Sequence, residues 1–107
     1  MAARADTVDA VFSALADPTR RRMIELLAGR PTATATGLAA ELPITRQAVA
    51  KHLAALKRAR LVRARREGRE TRYELDATAL DEVERWVARV GAEWDARLSR
   101  LERALAD

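Results

Sequence analysis

A mainly α-helical domain carrying one small β-hairpin is the fold class that this 107-residue sequence predicts. Three observations predict it. Apolar residues recur at helical spacing of three and four through most of the chain. They switch to strict alternation only across residues 61–75, around a glycine. They then return to helical spacing over residues 78–106, a run of about 43 Å at 1.5 Å per residue.

Taken in order, residues 1–6 offer little but alanine to bury and are expected to fray. From Thr7 onward, Val8, Val11, Phe12 and Leu15 follow the i, i+3, i+4, i+7 rule and predict a first amphipathic helix over 7–16. Asp17-Pro18 then marks a break and a restart. Asp17 suits an N-cap, Pro18 suits the first helical position, and Gly29 suits the stop of a second helix over 18–28. That helix would bury Met23, Ile24 and Leu27. Its first turns hold Arg20, Arg21 and Arg22, where the helix dipole disfavours cations. A solvated face is one account of them; contact with phosphate, or with acids of a second copy, is the other.

Residues 30–33 read as a loop. Thr34 or Thr36 would cap a short third helix ending at Leu42, with Leu38, Ala39 and Leu42 turned inward, and Pro43 would stop it. Next comes TRQAVAKHLAALKR, residues 45–58, with Thr45 as its cap. Val49, Leu53 and Leu56 make one stripe; Gln47, Lys51, Ala54 and Arg58 make the opposite face, with Arg46 near the leading end. A short helix, a tight turn and a second helix with a basic outer face are the outline of a helix-turn-helix over 34–58. Leu61–Arg65 and Thr71–Leu75 then alternate about Gly68, which predicts a hairpin over 61–75. Val62 and Ala64 would face inward opposite Tyr73 and Leu75, leaving Arg63, Arg65 and Arg72 outward and a wholly polar tip over 66–70. Because a two-stranded ribbon is marginal alone, it must lean on the helices, as a wing does.

In the last helix, Leu80, Val83, Val87, Val90, Trp94, Leu98, Leu101 and Leu105 form one apolar stripe, with Trp86 beside it. The rest of the domain is too small to cover that edge along its length, so a second copy of the chain is expected there. Gly91 in mid-helix costs about 1 kcal/mol relative to alanine unless it permits a close helix crossing. The predicted dimer face combines Val8 and Phe12 of the 7–16 helix with Leu80, Val83, Val87, Val90, Trp94, Leu98 and Leu101 of the 78–106 helix. Trp86 and Trp94 would either pack as core or line a pocket for a small apolar ligand; the sequence names no effector.

Composition excludes several functions. With no cysteine, disulfides, thiolate metal sites and thiol catalysis are ruled out. One histidine (His52), two serines (Ser13, Ser99) and one tyrosine (Tyr73) leave little for acid–base or nucleophilic chemistry, so no catalytic residue, cofactor or metal site is expected. No apolar run approaches the roughly 20 residues of a membrane span and no signal peptide is visible, so a cytoplasmic protein is expected. Charge is unevenly placed: residues 43–73 hold ten Lys/Arg against Glu67 and Glu70, a local +8 in a chain of net +4. Such a localised basic surface is the footprint of a polyanion partner. Of the twenty basic residues eighteen are arginine, and the chain has 24 alanines. The arginine excess therefore reads as genome composition, and only its clustering as function.

For nucleic acid the supply is better. Gln47 is the single glutamine in a chain without asparagine, and an amide can bond adenine N6 and N7 in pairs. Arg46 can pair with guanine or grip phosphate, and Lys51 can reach either. His52, at the edge of the buried stripe, bonds phosphate or merely packs. On the wing, Arg66, Arg69 and Arg72 can enter a narrow minor groove or simply be solvated. The candidate DNA-contacting set is Thr45, Arg46, Gln47, Ala48, Lys51, His52, Arg66, Arg69 and Arg72.

The segments FSALADPTRRRMIELLAGR, GLAAELPITRQAVAKHLAALKRARLV and GRETRYEL, in that order, resemble the ArsR-type winged helix-turn-helix regulators over residues 11–75. The resemblance implies a homodimeric bacterial transcription factor, usually a repressor of a palindromic operator that often controls its own operon. It also implies contacts from Thr45, Arg46, Gln47, Lys51 and His52, with the wing adding backbone or minor-groove contacts. Three departures count. The third helix lacks the cysteine pair and the last helix lacks the histidines of the metal-sensing branches, so metal sensing does not carry over. Ala48 and Ala50 replace frequent serines, removing two hydroxyls. KRARLV has Arg60 where the family usually has glycine, so Arg60 must take, or avoid, a left-handed conformation. The resulting expectation is a single domain, residues 1–107, acting as a homodimeric repressor on double-stranded DNA without a metal cofactor or membrane partner. A low-specificity architectural DNA-binding protein and a winged-helix protein-interaction module are the alternatives.

Overall fold

Asp17 opens the helix that organises the domain. Its carboxylate accepts the N–H groups of Thr19 and Arg20 at 2.7 and 3.3 Å, with Pro18 in the first turn. The computed structural model describes residues 2–106, and the side chains of residues 6–106. Its elements are α1 (Ala2–Leu15), α2 (Pro18–Ala28), α3 (Ala35–Ala39), α4 (Arg46–Arg58), β1 (Val62–Glu67), β2 (Glu70–Leu75) and α5 (Thr78–Ala106). The fold is a winged helix-turn-helix, mainly helical, with a two-stranded wing and a long C-terminal helix.

One stripe from each element meets in the core. Val11 and Ala14 of α1, Met23 and Leu27 of α2, Leu38 of α3, and Val49, Leu53 and Leu56 of α4 are buried together with Leu61, Val62 and Ala79. Each fully buried aliphatic side chain contributes about 1.5–3 kcal/mol. Ile24, Ala39, Leu42, Ile44, Leu80 and Val83 pack half-buried around them. No buried side-chain nitrogen or oxygen among the described residues lacks a partner.

Several boundaries differ from the sequence expectation. α1 begins at Ala2 rather than Thr7, since alanine and arginine continue a helix at little cost; residue 1 lies outside the described residues. Thr34, not Thr36, caps α3, its hydroxyl accepting the Gly37 N–H at 3.0 Å. α3 ends at Ala39, short of Leu42. The N–H groups of Ala40 and Glu41 close on the Thr36 and Leu38 carbonyls, and Pro43 disfavours helical backbone at Leu42. A bidentate Arg30–Glu41 pair, 2.6 and 3.0 Å, ties the loop after α2 to this turn.

The end of α4 answers the question posed by Arg60, which does adopt the left-handed region at φ 61°. Leu61 N–H bonds the Leu56 carbonyl and Arg60 N–H that of Lys57, both at 2.9 Å, the two bonds of a Schellman cap. Leu56 and Leu61, both fully buried, supply its apolar contact.

Both wing strands run further into the tip than alternation alone suggests, pairing Val62 with Leu75 through to Glu67 with Glu70. Only Gly68 and Arg69 are left for the turn, and Gly68 at φ 64° takes the first position that a tight hairpin reserves for glycine. Facing Glu67 and Glu70 would repel, but Arg72 reaches both, at 3.8 and 3.0 Å. The wing also leans on something unexpected. Ala33, read as loop, exchanges two backbone hydrogen bonds with Tyr73 at 2.8 and 2.9 Å and adds a third rung beside β2.

Candidate nucleic-acid interface

α4 is held by its buried stripe and presents the rest. Thr45 caps it by accepting the Ala48 N–H at 3.1 Å. With Val49, Leu53 and Leu56 wholly inside, the helical repeat turns Gln47, Ala50, Lys51, Ala54 and Arg58 outward, and Thr45 and Arg46 stand exposed at the leading end. The side chains of Arg46, Gln47 and Lys51 form no hydrogen bond or ion pair among the described residues, so they are uncommitted. Ala48 is half-buried and its N–H is consumed by the cap, so it adds a methyl edge and no donor.

His52 is half-buried, and Arg20 of α2 donates from Nε to its Nδ1 at 3.3 Å. With Nδ1 facing the Arg20 Nε–H, Nε2 is the ring nitrogen left to donate to a phosphate oxygen. Nearby, partial burial pushes the Asp17 carboxyl up. The N–H bonds from Thr19 and Arg20, with the attraction of His52 in its protonated form and of the Arg20 guanidinium, outweigh that and hold it below the usual carboxylate range.

The wing arginines are unequally free. Arg66 folds back from Nε to the Gly68 carbonyl at 3.1 Å. Arg72 is half-buried and tied to Glu70, Glu67 and the Thr32 hydroxyl. Arg69, in the turn, is uncommitted among the described residues. Arg63 and Arg65 face outward, the first near Glu74 and Asp76, the second near Glu67.

The triplet at the start of α2 has a role that the sequence did not disclose. Arg20 and Arg21 donate to the carbonyls of Ala14 and Leu15, at 3.2 and 2.5 Å, covering the C-terminal end of α1 where positive charge is favoured. Arg22 pairs with Glu25 at 3.4 Å. Their spacing from Asp17-Pro18 was the available signal: a chain that turns sharply between two helices brings the second's first turn back to the first's last carbonyls.

The expected dimer residues divide in two. Val8 is buried, and Leu80 and Val83 half-buried, within the protomer where α1 packs on α5. Phe12, Val87, Val90, Trp94, Leu98 and Leu101 remain on the surface with Leu105, Trp94 being 55% exposed. Trp86 and Trp94 are therefore not core. Trp86 meets Phe12 edge to face at 5.5 Å, and the Arg97 guanidinium lies 6.0 Å from the Trp94 ring. No group of three or more His, Asp or Glu side chains among the described residues is placed to hold a metal ion.

Fold and face together define a DNA-binding winged helix-turn-helix. A family model described as a helix-turn-helix domain matches residues 15–65. The HTH-type transcriptional regulator Rv2034 of Mycobacterium tuberculosis is 49% identical over 72 residues, 67% of this chain and 66% of that one. The transcriptional repressor SdpR of Bacillus subtilis is 35% identical over 77 residues, 72% of this chain and 84% of that one. An ArsR-like transcriptional regulator from Rhodococcus sp. RHA1 superposes with a TM-score of 0.80 at 42% identity, covering 92% of each chain. The homodimeric winged helix-turn-helix DNA-binding domain Mb0332 from Mycobacterium bovis superposes at 0.66 with 32% identity, covering 92% of this chain and 88% of that one. The chain belongs to the ArsR-type family of DNA-binding transcriptional regulators, a family that is not enzymatic.

Proposed function

We propose that the chain is a single domain that acts in the cytoplasm as a homodimeric repressor of a palindromic operator, with its own operon among the targets. The observation that carries this reading is the outer face of α4, where Arg46, Gln47 and Lys51 are exposed and uncommitted opposite a fully buried stripe. Thr45 and the Nε2 side of His52 add donors, and Arg69 with Arg66 and Arg72 brings the wing to the flanking backbone or minor groove. Bound at the operator, the protein excludes RNA polymerase. This reading assigns no metal response, since the chain has no cysteine and no three His, Asp or Glu side chains among the described residues come together to hold an ion.

Support for the homodimer is the apolar stripe of α5 continued by Phe12. A Cβ built at Gly91 meets nothing of its own chain within 4 Å, so the glycine has no intrachain packing reason. Close approach of a partner helix supplies one. Two-fold pairing would set the reading helices ~34 Å apart, on half-sites about 10 bp apart. Selection of bound genomic fragments with purified protein tests the reading and is expected to return a palindrome. At one fixed salt concentration that operator should bind at least a hundredfold tighter than a scrambled duplex. Equal binding to both would establish the low-specificity architectural reading instead.

A further inference from the structure

Between α1, α2 and the last turn of α4 lies an open groove of about 270 Å³. That is room for about nine waters at about 30 Å³ each, or one small ligand. Methyl groups of Ala10 and Ala14 from α1, of Ala55 from α4 and of Ala59 at its cap share the lining about equally with polar atoms. Ser13, Arg20 and Arg58 frame it, and no carboxylate lines it.

The two guanidiniums are prepared differently. Arg20 is fixed by its bonds to the Ala14 carbonyl and His52 Nδ1, which occupy Nη1 and Nε and leave both hydrogens of Nη2 unused. Arg58 forms no hydrogen bond or ion pair among the described residues, and neither does the Ser13 hydroxyl. The open guanidinium of Arg58, the free Nη2 of Arg20 and a hydroxyl beside four alanine methyls suit an anion with a small apolar body. A carboxylate accepts two parallel bonds from a guanidinium, and the alanines desolvate what it is attached to. Inorganic phosphate would satisfy the arginines and leave the four alanine methyls uncovered.

We propose that this groove binds a small organic monocarboxylate, and that its occupancy lowers the affinity of α4 for DNA. Arg58 stands twelve residues beyond Arg46, about 18 Å along the helix, so the ligand does not occlude the base-reading end. It acts by neutralising positive charge on α4 and on the Arg20 that holds His52. Binding stands on the groove alone, whereas its transmission rests on the DNA-binding function proposed above.

Benzoate is the probe. Titrated into the full chain and followed by amide ¹H–¹⁵N shifts, it should give saturable changes at Ala10, Ser13, Ala55 and Ala59. Benzyl alcohol should give none, and inorganic phosphate should bind at least tenfold more weakly. Arg58→Gln should weaken benzoate at least tenfold, and Ala10→Leu, which fills the groove from an exposed wall, should abolish the shifts. In a separate DNA titration at fixed salt, saturating benzoate should lower operator affinity at least threefold for the wild type and leave Ala10→Leu unchanged. Absence of saturable shifts up to tens of millimolar overturns the site, as does benzoate binding that survives both variants. Equal binding of phosphate overturns the carboxylate assignment. Weaker DNA binding by Arg58→Gln with no benzoate shifts makes Arg58 a DNA contact and overturns the proposal. A protein that binds benzoate but no DNA would refute the repressor reading while leaving the groove intact.

Discussion

Arg60 shows how a single residue can carry a visible strain. A non-glycine side chain in the left-handed region costs about 1–2 kcal/mol, and the Schellman bonds of Arg60 and Leu61 hold it there. Arg60→Gly should therefore stabilise the domain by about 0.5–1 kcal/mol, after glycine's larger loss of chain entropy. Urea unfolding should show a higher midpoint at unchanged slope; an unchanged or lower midpoint would deny the strain. Asp17 makes a second residue-scale case. Its folded pKa lies below the ordinary 3.8, so its stabilising effect is complete above that value and is lost as pH falls through the lower folded value. Asp76 behaves alike, held down first by the backbone N–H of Thr78. Thermal midpoints should be flat from neutrality to about pH 5 and fall below about pH 4. Asp17→Asn keeps a cap acceptor and should reduce that acid loss; an identical acid limb in the variant would remove Asp17 as its source.

Among the elements, α4 carries most of the proposed DNA contacts, because burial and exposure divide it so cleanly. Gln47→Ala removes an exposed amide without touching the core, so it should cost about 1–3 kcal/mol of operator affinity and relax preference at one base position. Lys51→Ala should weaken binding to all sequences and flatten the salt dependence by about one unit, if its partner is phosphate. Circular dichroism of both variants should be unchanged. Full retention of operator affinity in the two would favour the protein-interaction module. The wing contributes less evenly. Arg69 is free, whereas Arg72 must leave Glu70, Glu67 and Thr32 to reach DNA, so Arg69→Ala should be the more costly of the two in DNA titrations.

On the scale of the whole molecule, α5 dominates the shape, extending the protein to 69 Å along one axis against 30 and 21 Å along the others. From Glu84 onward every described residue of this helix is exposed, and the large apolar ones share one face. A helix in this state gains about 1.5–3 kcal/mol for each large side chain a partner covers. Trp94→Asp places a charge in that stripe without disturbing the protomer core, since Trp94 packs against nothing in it. Sedimentation should show a dimer at micromolar concentration for the wild type and a monomer for Trp94→Asp. A monomeric wild type, or undiminished association in the variant, would sink the two-fold arrangement.

Periodicity and capping chemistry are local, and they made most of this legible in the sequence. The order of helices and wing, the caps at Asp17 and Thr45, the buried Val49–Leu53–Leu56 stripe and the family resemblance all follow from residues within a few positions of one another. The candidate reading face came with the stripe, because a helix that buries one side must show the other. Contacts between residues distant in the chain did not announce themselves. Ala33 pairs with Tyr73, Arg20 binds both the end of α1 and His52, and Val8 is buried and Val83 half-buried where α1 packs on α5. Each depends on where the chain returns after a turn, which spacing alone does not encode. The left-handed Arg60 lay between these cases. Its position was readable from the missing glycine, but only the packed core, by burying Leu56 against Leu61, decided that the strained conformation would be kept.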